Sequence, residues 1–241
     1  IIVMSVMNGF RAELINKIVG FNSHIVIQPY EQQININEIK NSNLEMISKN
    51  LILSNSSEAI IIREQSSKGI LLRGYLENDF SKLELVNNKN FVEKNKILEK
   101  NFISIGRELS FNLDLKIGDS ITIMSSSGIE TIIGNLPKQK TFIVLSIFDS
   151  GLADFDNNIV FLNLETLEEF SNLSEKNRNL EIYLKNPQKI ENQKNIVQKV
   201  FPNDLVSTWA DMNKSLFSAL KVERNVMFII LSLIIIVAAF N

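Results

Sequence analysis

The C-terminal apolar stretch is the feature that most limits how this chain can fold. Residues 226–240 read VMFIILSLIIIVAAF, with no charged residue and Ser232 as the one polar side chain. A helix that is apolar on every side needs lipid or a large protein core around it, and a membrane span needs roughly 20 such residues. We interpret the stretch as the start of a transmembrane helix that continues past Asn241. A buried core helix is the alternative.

The residues before this stretch predict an amphipathic helix that runs directly into it. Thr208 followed by Asp211 is typical of a capped helix start. Apolar residues then recur at helical spacing, at Trp209, Met212, Leu216, Phe217 and Leu220. Because no Gly follows Gly151 and no Pro follows Pro202, the sequence predicts one stiff helix across residues 208–241.

The N-terminus has a similar pattern over residues 1–21. It begins IIVM, and Met7, Phe10, Leu14 and Ile18 then form an apolar stripe. A signal peptide would have a basic region before its apolar part and small residues after it, which this segment lacks. We therefore expect the end of a first transmembrane helix, with a short core helix as the alternative.

Composition excludes several classes of function. The net charge is −2 over 241 residues and basic residues are scattered, so an electrostatic nucleic-acid surface is not expected. The absence of Cys excludes disulfides, thiolate zinc sites and cysteine catalysis. The single histidine, His24, lies in an apolar strand pattern, and phosphate-loop, GxSxG and HExxH motifs are absent. We expect a structural role for His24 and no active site.

The chain between the two ends predicts an α+β domain with an inserted middle part. Residues 22–90 include a strand SHIVIQPY, a weak helix NEIKNSNLEMISKN, and a hairpin of EAIIIREQ and GILLRGYL joined at SSKG. Residues 177–207 predict strand, helix and strand, with NLEIYLKN alternating apolar and polar. Residues 91–176 lie between these halves and predict a separate, strand-rich insertion.

A long loop is the most informative part of this insertion. The paired strands predicted around residues 120 and 145 are joined by residues 127–140, more than a hairpin requires. The loop carries Ile129, Ile132, Ile133 and Leu136. Such apolar side chains either fold back onto the domain or bind a partner.

Several segments resemble the permease subunits of lipoprotein-releasing ABC transporters, of the LolC or LolE type, within the wider MacB and FtsX group. SVMNGFRAEL resembles the exit from the first transmembrane helix of that family, and KVERNVMFIILSLIIIVAAFN resembles the entry into its second. IGRELSFNLDLKIGDSITI resembles a Gly-Arg-Glu-Leu and Gly-Asp segment shared by the wider group. The resemblance extends almost from end to end.

The resemblance implies a MacB-like periplasmic domain between two transmembrane helices in the bacterial inner membrane. Residues 22–90 and 177–207 would form its porter-like part and residues 91–176 its sabre-like part. It further implies a second permease protomer, a cytoplasmic ATPase dimer that binds ATP and Mg²⁺, lipoprotein substrates and a periplasmic chaperone. The chain itself would need no cofactor and would not be an enzyme.

The resemblance also assigns two groups of candidate residues. Residues 127–140 correspond to a chaperone-binding hook, with Pro137 three residues before Lys140, where the family often has Arg. The predicted hook residues are Ile129, Ile132, Ile133, Leu136, Pro137, Lys138 and Lys140. The residues predicted to contact lipoprotein or membrane and to couple the transporter's motion are Met7, Phe10, Phe217, Leu220, Glu223, Arg224 and Met227.

Two other interpretations stay open from the sequence. An efflux or cell-division protein of the MacB and FtsX group would keep this architecture and bind other partners. A sensory receptor would also place a domain between two helices, followed by a signalling linker. Sequence beyond Asn241 would distinguish a receptor from a permease. The hook would distinguish a lipoprotein-releasing permease from the efflux and cell-division proteins of the MacB and FtsX group.

Overall fold

A computed structural model describes most of the chain. It covers residues 5–7, 9, 13, 17, 19–20, 22–30, 33–34, 39, 44–63, 66–87, 98–131, 134–187 and 190–240. The described strands are β1 Ile25–Gln28, β2 Ser48–Arg63, β3 Ser66–Tyr75, β4 Phe102–Gly106, β5 Ser120–Thr131, β6 Gly134–Phe148, β7 Ile159–Asn163, β8 Asn179–Leu184 and β9 Leu205–Thr208. The described α-helices are α1 Leu44–Ile47, α2 Glu77–Phe80, α3 Glu84–Asn87, α4 Arg107–Asn112, α5 Ala153–Asn158, α6 Leu164–Ser171, α7 Ile190–Val200, α8 Trp209–Met212 and α9 Lys214–Phe240.

Six of the strands close into a ring. Going around it, β2 pairs with β3, β3 with β7, β7 with β4, β4 with β6, β6 with β5, and β5 with β2 again. The β3–β7 and β4–β6 pairs are parallel and the others are antiparallel. The ring encloses an apolar cluster that includes Ile61, Leu72, Ile103, Phe142 and Phe161.

The first half of β2 belongs to a second, smaller sheet. Ser48–Ser54 pairs with β8, which pairs with β1, and β1 pairs with β9. This sheet and helix α7 enclose a separate apolar cluster with Ile25, Ile182, Val197 and Trp209. Because one continuous strand supplies both sheets, β2 links the two cores directly.

The Gly-Arg-Glu-Leu segment has a structural explanation. A Cβ on Gly106 would lie 2.0 Å from the carbonyl oxygen of Asp156, so only glycine fits between β4 and α5. Arg107 donates to Asp149 at 2.6 Å, and Leu109 is fully buried. At the following turn Gly118 has a φ of +94°, which glycine adopts without strain. The segment therefore joins strand, helix and strand in one compact unit.

The mixed helix and strand architecture is confirmed, and several local predictions are wrong. The helix predicted over NEIKNSNLEMISKN ends at Ile47, because Ser48 already begins the ladder with β8. SSKG lies inside β3 and does not join the hairpin, since Ser66 pairs with Arg63. NLEIYLKN is a strand, but it buries both faces, with Glu181 at 3% and Tyr183 at 5% exposure.

The predicted division into parts stays a prediction. Strands from both sides of its boundary at residue 90 share the six-stranded ring, since β2 and β3 precede that boundary and β4 to β7 follow it. The resemblance places the hairpin of β2 and β3 in the porter-like part. Its pairing shows that this hairpin also supplies two strands of the ring.

The helix at the C-terminus differs in two respects from its prediction. Thr208 and Asp211 form a reciprocal capping box, as the sequence indicates. The helix is nevertheless interrupted at Asn213, whose φ of −111° and ψ of 33° end α8 before α9 begins. Met212 is also 48% exposed, so it does not continue the buried stripe of Trp209 and Leu220. The predicted stiff helix therefore begins at Lys214.

Candidate functional site: a projecting hairpin and a membrane-type helix

The predicted hook is an extension of two strands and not a long loop. Gly128 pairs with Pro137, Ile129 with Leu136, and Thr131 with Gly134, so the ladder of β5 and β6 continues to its end. The reason is that pairing satisfies backbone groups that a loop of this length would leave to water. Ile132 and Ile133 lie outside the described residues, as does the side chain of Ile129.

The end of this hairpin presents an apolar side chain to solvent. Leu136 is 54% exposed, and Pro137 beside it is exposed as well. Pro137 cannot donate a ladder hydrogen bond, but among the described residues β4 pairs with β6 only from Ile143 onward. Pro137 therefore sits where β6 has an open edge, which is a position that tolerates proline.

The two hook lysines are directed at their own domain. Lys138 Nζ donates to the carbonyl oxygen of Glu169 at 3.0 Å and to the side-chain oxygen of Asn172. Lys140 Nζ lies 5.4 Å from the centre of the Phe142 ring. These contacts are intramolecular, so both lysines face the domain, while Leu136 and Pro137 are exposed.

The predicted coupling residues are spread along two ends of the chain. Leu220 is buried, Met7 and Met227 are half-buried, and Glu223 and Arg224 are exposed. Phe10 lies outside the described residues, and so does the side chain of Phe217. Within the described part, Ser218–Phe240 of helix α9 is long and apolar enough to cross a membrane. No residue in the most apolar stretch of this segment is buried.

A buried ionic cluster at the junction of the two sheets was missed by sequence reasoning. Glu181 Oε1 accepts from Ser54 Oγ at 2.6 Å, from an Arg73 nitrogen at 2.9 Å and from the Tyr75 hydroxyl at 3.0 Å. Glu181 Oε2 accepts from the Tyr183 hydroxyl at 3.0 Å. One residue in the sequence could have indicated this cluster, the arginine inside the apolar strand GILLRGYL, because a buried arginine needs a carboxylate partner.

The electrostatics of this cluster keep both phenols neutral. Burial raises the pKa of Tyr75 and of Tyr183 well above the usual value, so both hydroxyls donate at any physiological pH. Burial opposes the charged form of Arg73, but the Glu181 carboxylate, through its charge and its hydrogen bond, raises the pKa of Arg73 above its usual value. The cluster ties β2, β3 and β8 together and provides no nucleophile.

The other titratable candidates have structural partners. His24 accepts from the Leu184 N–H at Nδ1, 2.7 Å, and its Nε2 lies 3.0 Å from the Val19 carbonyl oxygen. Glu168 is bound by Arg178 through two hydrogen bonds of 2.7 and 2.8 Å. Burial raises the pKa of Asp156, which accepts from the Ser150 N–H at 3.0 Å. Among the described residues, no group of three or more His, Asp or Glu could hold a metal ion.

Comparison with known sequences identifies the relatives of the chain. No protein-family model matches it. Over 254 residues it is 28% identical to the lipoprotein-releasing system transmembrane protein LolC of Neisseria meningitidis, covering 100% of this chain and 60% of the relative. The LolC protein of Haemophilus influenzae is 26% identical, again over 100% of this chain and 60% of the relative. The chain is a homologue of the LolC-type permeases. The resemblance found in the sequence is thereby confirmed.

The alignment covers part of each relative and extends across this whole chain. The chain spans about 60% of the length of the LolC proteins it matches. Among solved structures, the periplasmic region of MacB from Actinobacillus actinomycetemcomitans is similar with a TM-score of 0.47 and 9% identity, covering 83% of this chain and 95% of that one. The extracellular domain of the transporter YknZ gives a TM-score of 0.40 and 11% identity, covering 71% and 88%.

Proposed function

We propose that this chain is the extracytoplasmic domain, with adjoining helices, of a permease subunit that releases lipoproteins from the inner membrane. The observation that supports the proposal most is the homology along the full chain to proteins named for lipoprotein release. Helix α9 has the length and composition of a membrane span, as expected for a homologue of transmembrane proteins.

The proposal includes partners that supply what this chain lacks. ATP would be hydrolysed by a cytoplasmic ATPase dimer, and a second permease protomer would complete the transporter. Helix α9 would carry the motion from lipid to the domain, because it is continuous from Lys214 to Phe240. The domain would lie in the periplasm, where lipoproteins and their chaperone meet it.

We further propose that the end of the β5–β6 hairpin binds the periplasmic chaperone. Leu136 is exposed on a pair of strands that continues beyond the β4 and β2 pairings, so a partner can cover it without disturbing the ring. Burying a leucine side chain contributes roughly 1.5 to 3 kcal/mol, enough for one such residue to dominate a small contact.

Reconstituted transport tests both proposals. The complete permease and its ATPase are placed in lipid vesicles with a labelled lipoprotein, and ATP-driven transfer to the soluble chaperone is measured. Leu136→Asp should reduce transfer by roughly tenfold or more, since a charged residue replaces the apolar anchor. Phe111→Asp is the matched control, because Phe111 is 83% exposed on helix α4, outside the hairpin.

The outcomes separate the two proposals. If Leu136→Asp transfers lipoprotein as well as the wild type, or if Leu136→Asp and Phe111→Asp lose transfer equally, the hairpin is not the chaperone site. Absence of lipoprotein transfer by the wild-type transporter would contradict the permease function itself. The efflux or division alternative predicts that second result.

A further inference from the structure

The last turn of helix α6 is bound by side chains from the β5–β6 hairpin. The final carbonyl groups of a helix have no partner within it and need donors from elsewhere. The Glu169 carbonyl accepts from Lys138 Nζ at 3.0 Å, and the Ser171 carbonyl accepts from Ser127 Oγ at 2.6 Å. Lys138 lies on β6 and Ser127 on β5, so both strands of the hairpin contact the same helix end.

Asn172 connects this helix end to both strands. It ends α6 in the left-handed conformation, with a φ of 53° and a ψ of 36°. Its side-chain oxygen accepts from Lys138 Nζ, while its Nδ2 donates to the Gly128 carbonyl at 3.3 Å. One amide thus joins β6, the helix end and β5.

Charge supports the same arrangement. The C-terminus of a helix carries a partial negative charge that a nearby cation stabilises. Helix α6 has no basic residue in its own last turn. Lys138 supplies that cation from a different element of the chain.

The contacts occur where the hairpin needs support. The register of β5 against β6 shifts between Met124 and Gly128, which leaves three β5 residues opposite Lys138. Such bulges bend a strand pair, and an isolated two-stranded hairpin is marginally stable in water. Beyond this point β2 no longer pairs with β5, since its last partner is Ser125. The direction of the hairpin end therefore depends on what holds its base.

We infer that Lys138 and Asn172 are positioning residues that fix the direction of the hairpin end for its partner. Lys138 then supports the hairpin from the side of its own domain and is not one of the residues that contact the chaperone. The inference rests on the proposed docking function, but it makes its own claim about the hairpin in the absence of a partner.

Distance measurements between spin labels test that claim in the complete permease. Labels are attached at Leu136→Cys and Lys116→Cys, after any cysteine outside this chain has been replaced by serine. This chain has no native cysteine, and Lys116 is exposed in the turn before β5. Lys138→Met and Asn172→Ala should broaden the distance distribution and shift its maximum. Lys138→Arg should restore the wild-type distribution, because a guanidinium can also donate to carbonyl groups. Lys176→Met removes the same charge at an exposed position after α6 and should leave the distribution unchanged.

Chaperone binding is measured in parallel on unlabelled variants. Lys138→Met should weaken it roughly tenfold through lost pre-organisation, and Lys138→Arg should recover most of the affinity. An unchanged distance distribution in Lys138→Met, or an equal change in Lys176→Met, would overturn the inference. If the distances change in the variants but the wild-type permease does not bind the chaperone, the positioning role of Lys138 and Asn172 is supported and the proposed docking function is contradicted.

Discussion

At the residue scale, the burial of Glu181 explains how a charged group can occupy the junction of two apolar cores. Removing a carboxylate from water costs several kcal/mol unless hydrogen bonds and a counter-charge replace the water. Ser54, Tyr75, Tyr183 and Arg73 provide those donors within 3.1 Å. The alternation of NLEIYLKN did not indicate that Glu181 is buried, because periodicity cannot show that a second layer covers the polar face.

Replacing Glu181 by glutamine should lower the free energy of unfolding by about 3 to 5 kcal/mol. The loss is expected because Arg73 keeps its charge in a site where its side chain is only 14% exposed. Urea titration of the chain in detergent, followed by the fluorescence of its single tryptophan, Trp209, measures it. Glu58→Gln, at an exposed position of β2, is the control. A loss no larger than that of the control would refute the proposed role of the cluster.

Asp211 gives a pH-dependent prediction at the start of α8. The hydrogen bond from Lys194, and those from Thr208, lower its pKa from 3.8 to about 2. A carboxylate whose pKa is lower in the folded chain than in the unfolded chain stabilises the fold at pH values above its unfolded pKa. That contribution is lost as the pH falls through its folded pKa. The stability difference between wild type and Asp211→Asn should therefore be constant above about pH 4 and shrink toward pH 2.

The size of this effect should be modest, since Asp211 is half-exposed. Its ion pair with Lys194 is screened by water, so we expect a difference below about 1 kcal/mol. Thermal melts between pH 2 and pH 7 of wild type, Asp211→Asn and the exposed control Glu191→Gln measure it. A difference that grows on acidification would have the wrong sign for this account.

At the element scale, propensity and pattern predicted most strands but not where the ladders end. The apolar residues of 127–140 are interspersed with Gly128, Gly134 and Pro137, which is typical of a loop. Pairing with the opposite strand outweighed that local preference. Asn213 shows the converse, since a helix break occurs where the sequence has neither Gly nor Pro.

Helix α9 is the element that the proposed mechanism requires to stay intact. Val222→Pro should remove an intrahelical hydrogen bond and introduce a clash, costing about 3 kcal/mol or more locally. We expect a folded domain but a loss of ATP-driven lipoprotein transfer in reconstituted vesicles. Val222→Ala is the control, because Val222 is 61% exposed and alanine preserves the helix. Full transfer by the proline variant would exclude α9 as the transmitting element.

At the scale of the whole molecule, the sequence predicted the pairing of β5 with β6, while the division into an inserted part and two flanking halves stays a prediction. It did not predict that β3 would pair in parallel with β7, or that β1 would lie between β8 and β9. These contacts join residues far apart in the chain, and local periodicity carries no information about such partners. The sequence also did not predict that β2 would belong to both the ring and the small sheet, because that arrangement depends on tertiary packing alone.

The shared strand provides a direct backbone connection between the two cores. A displacement of the small sheet would reach the ring through the backbone of β2 and through the Glu181 cluster, without crossing a flexible linker. The hairpin end is then an extension of the same unit, held by the end of α6. We propose that this hairpin end contacts the chaperone.

Site-specific photocrosslinking in cells tests that claim most directly. A photoreactive amino acid is placed at Leu136 of the complete permease and, as the control, at Phe111, which is more exposed but lies on α4. We expect a covalent adduct between the permease and the periplasmic lipoprotein chaperone from position 136 and none from position 111. Absence of that adduct at 136, with the chaperone captured at 111 or at neither position, would contradict it.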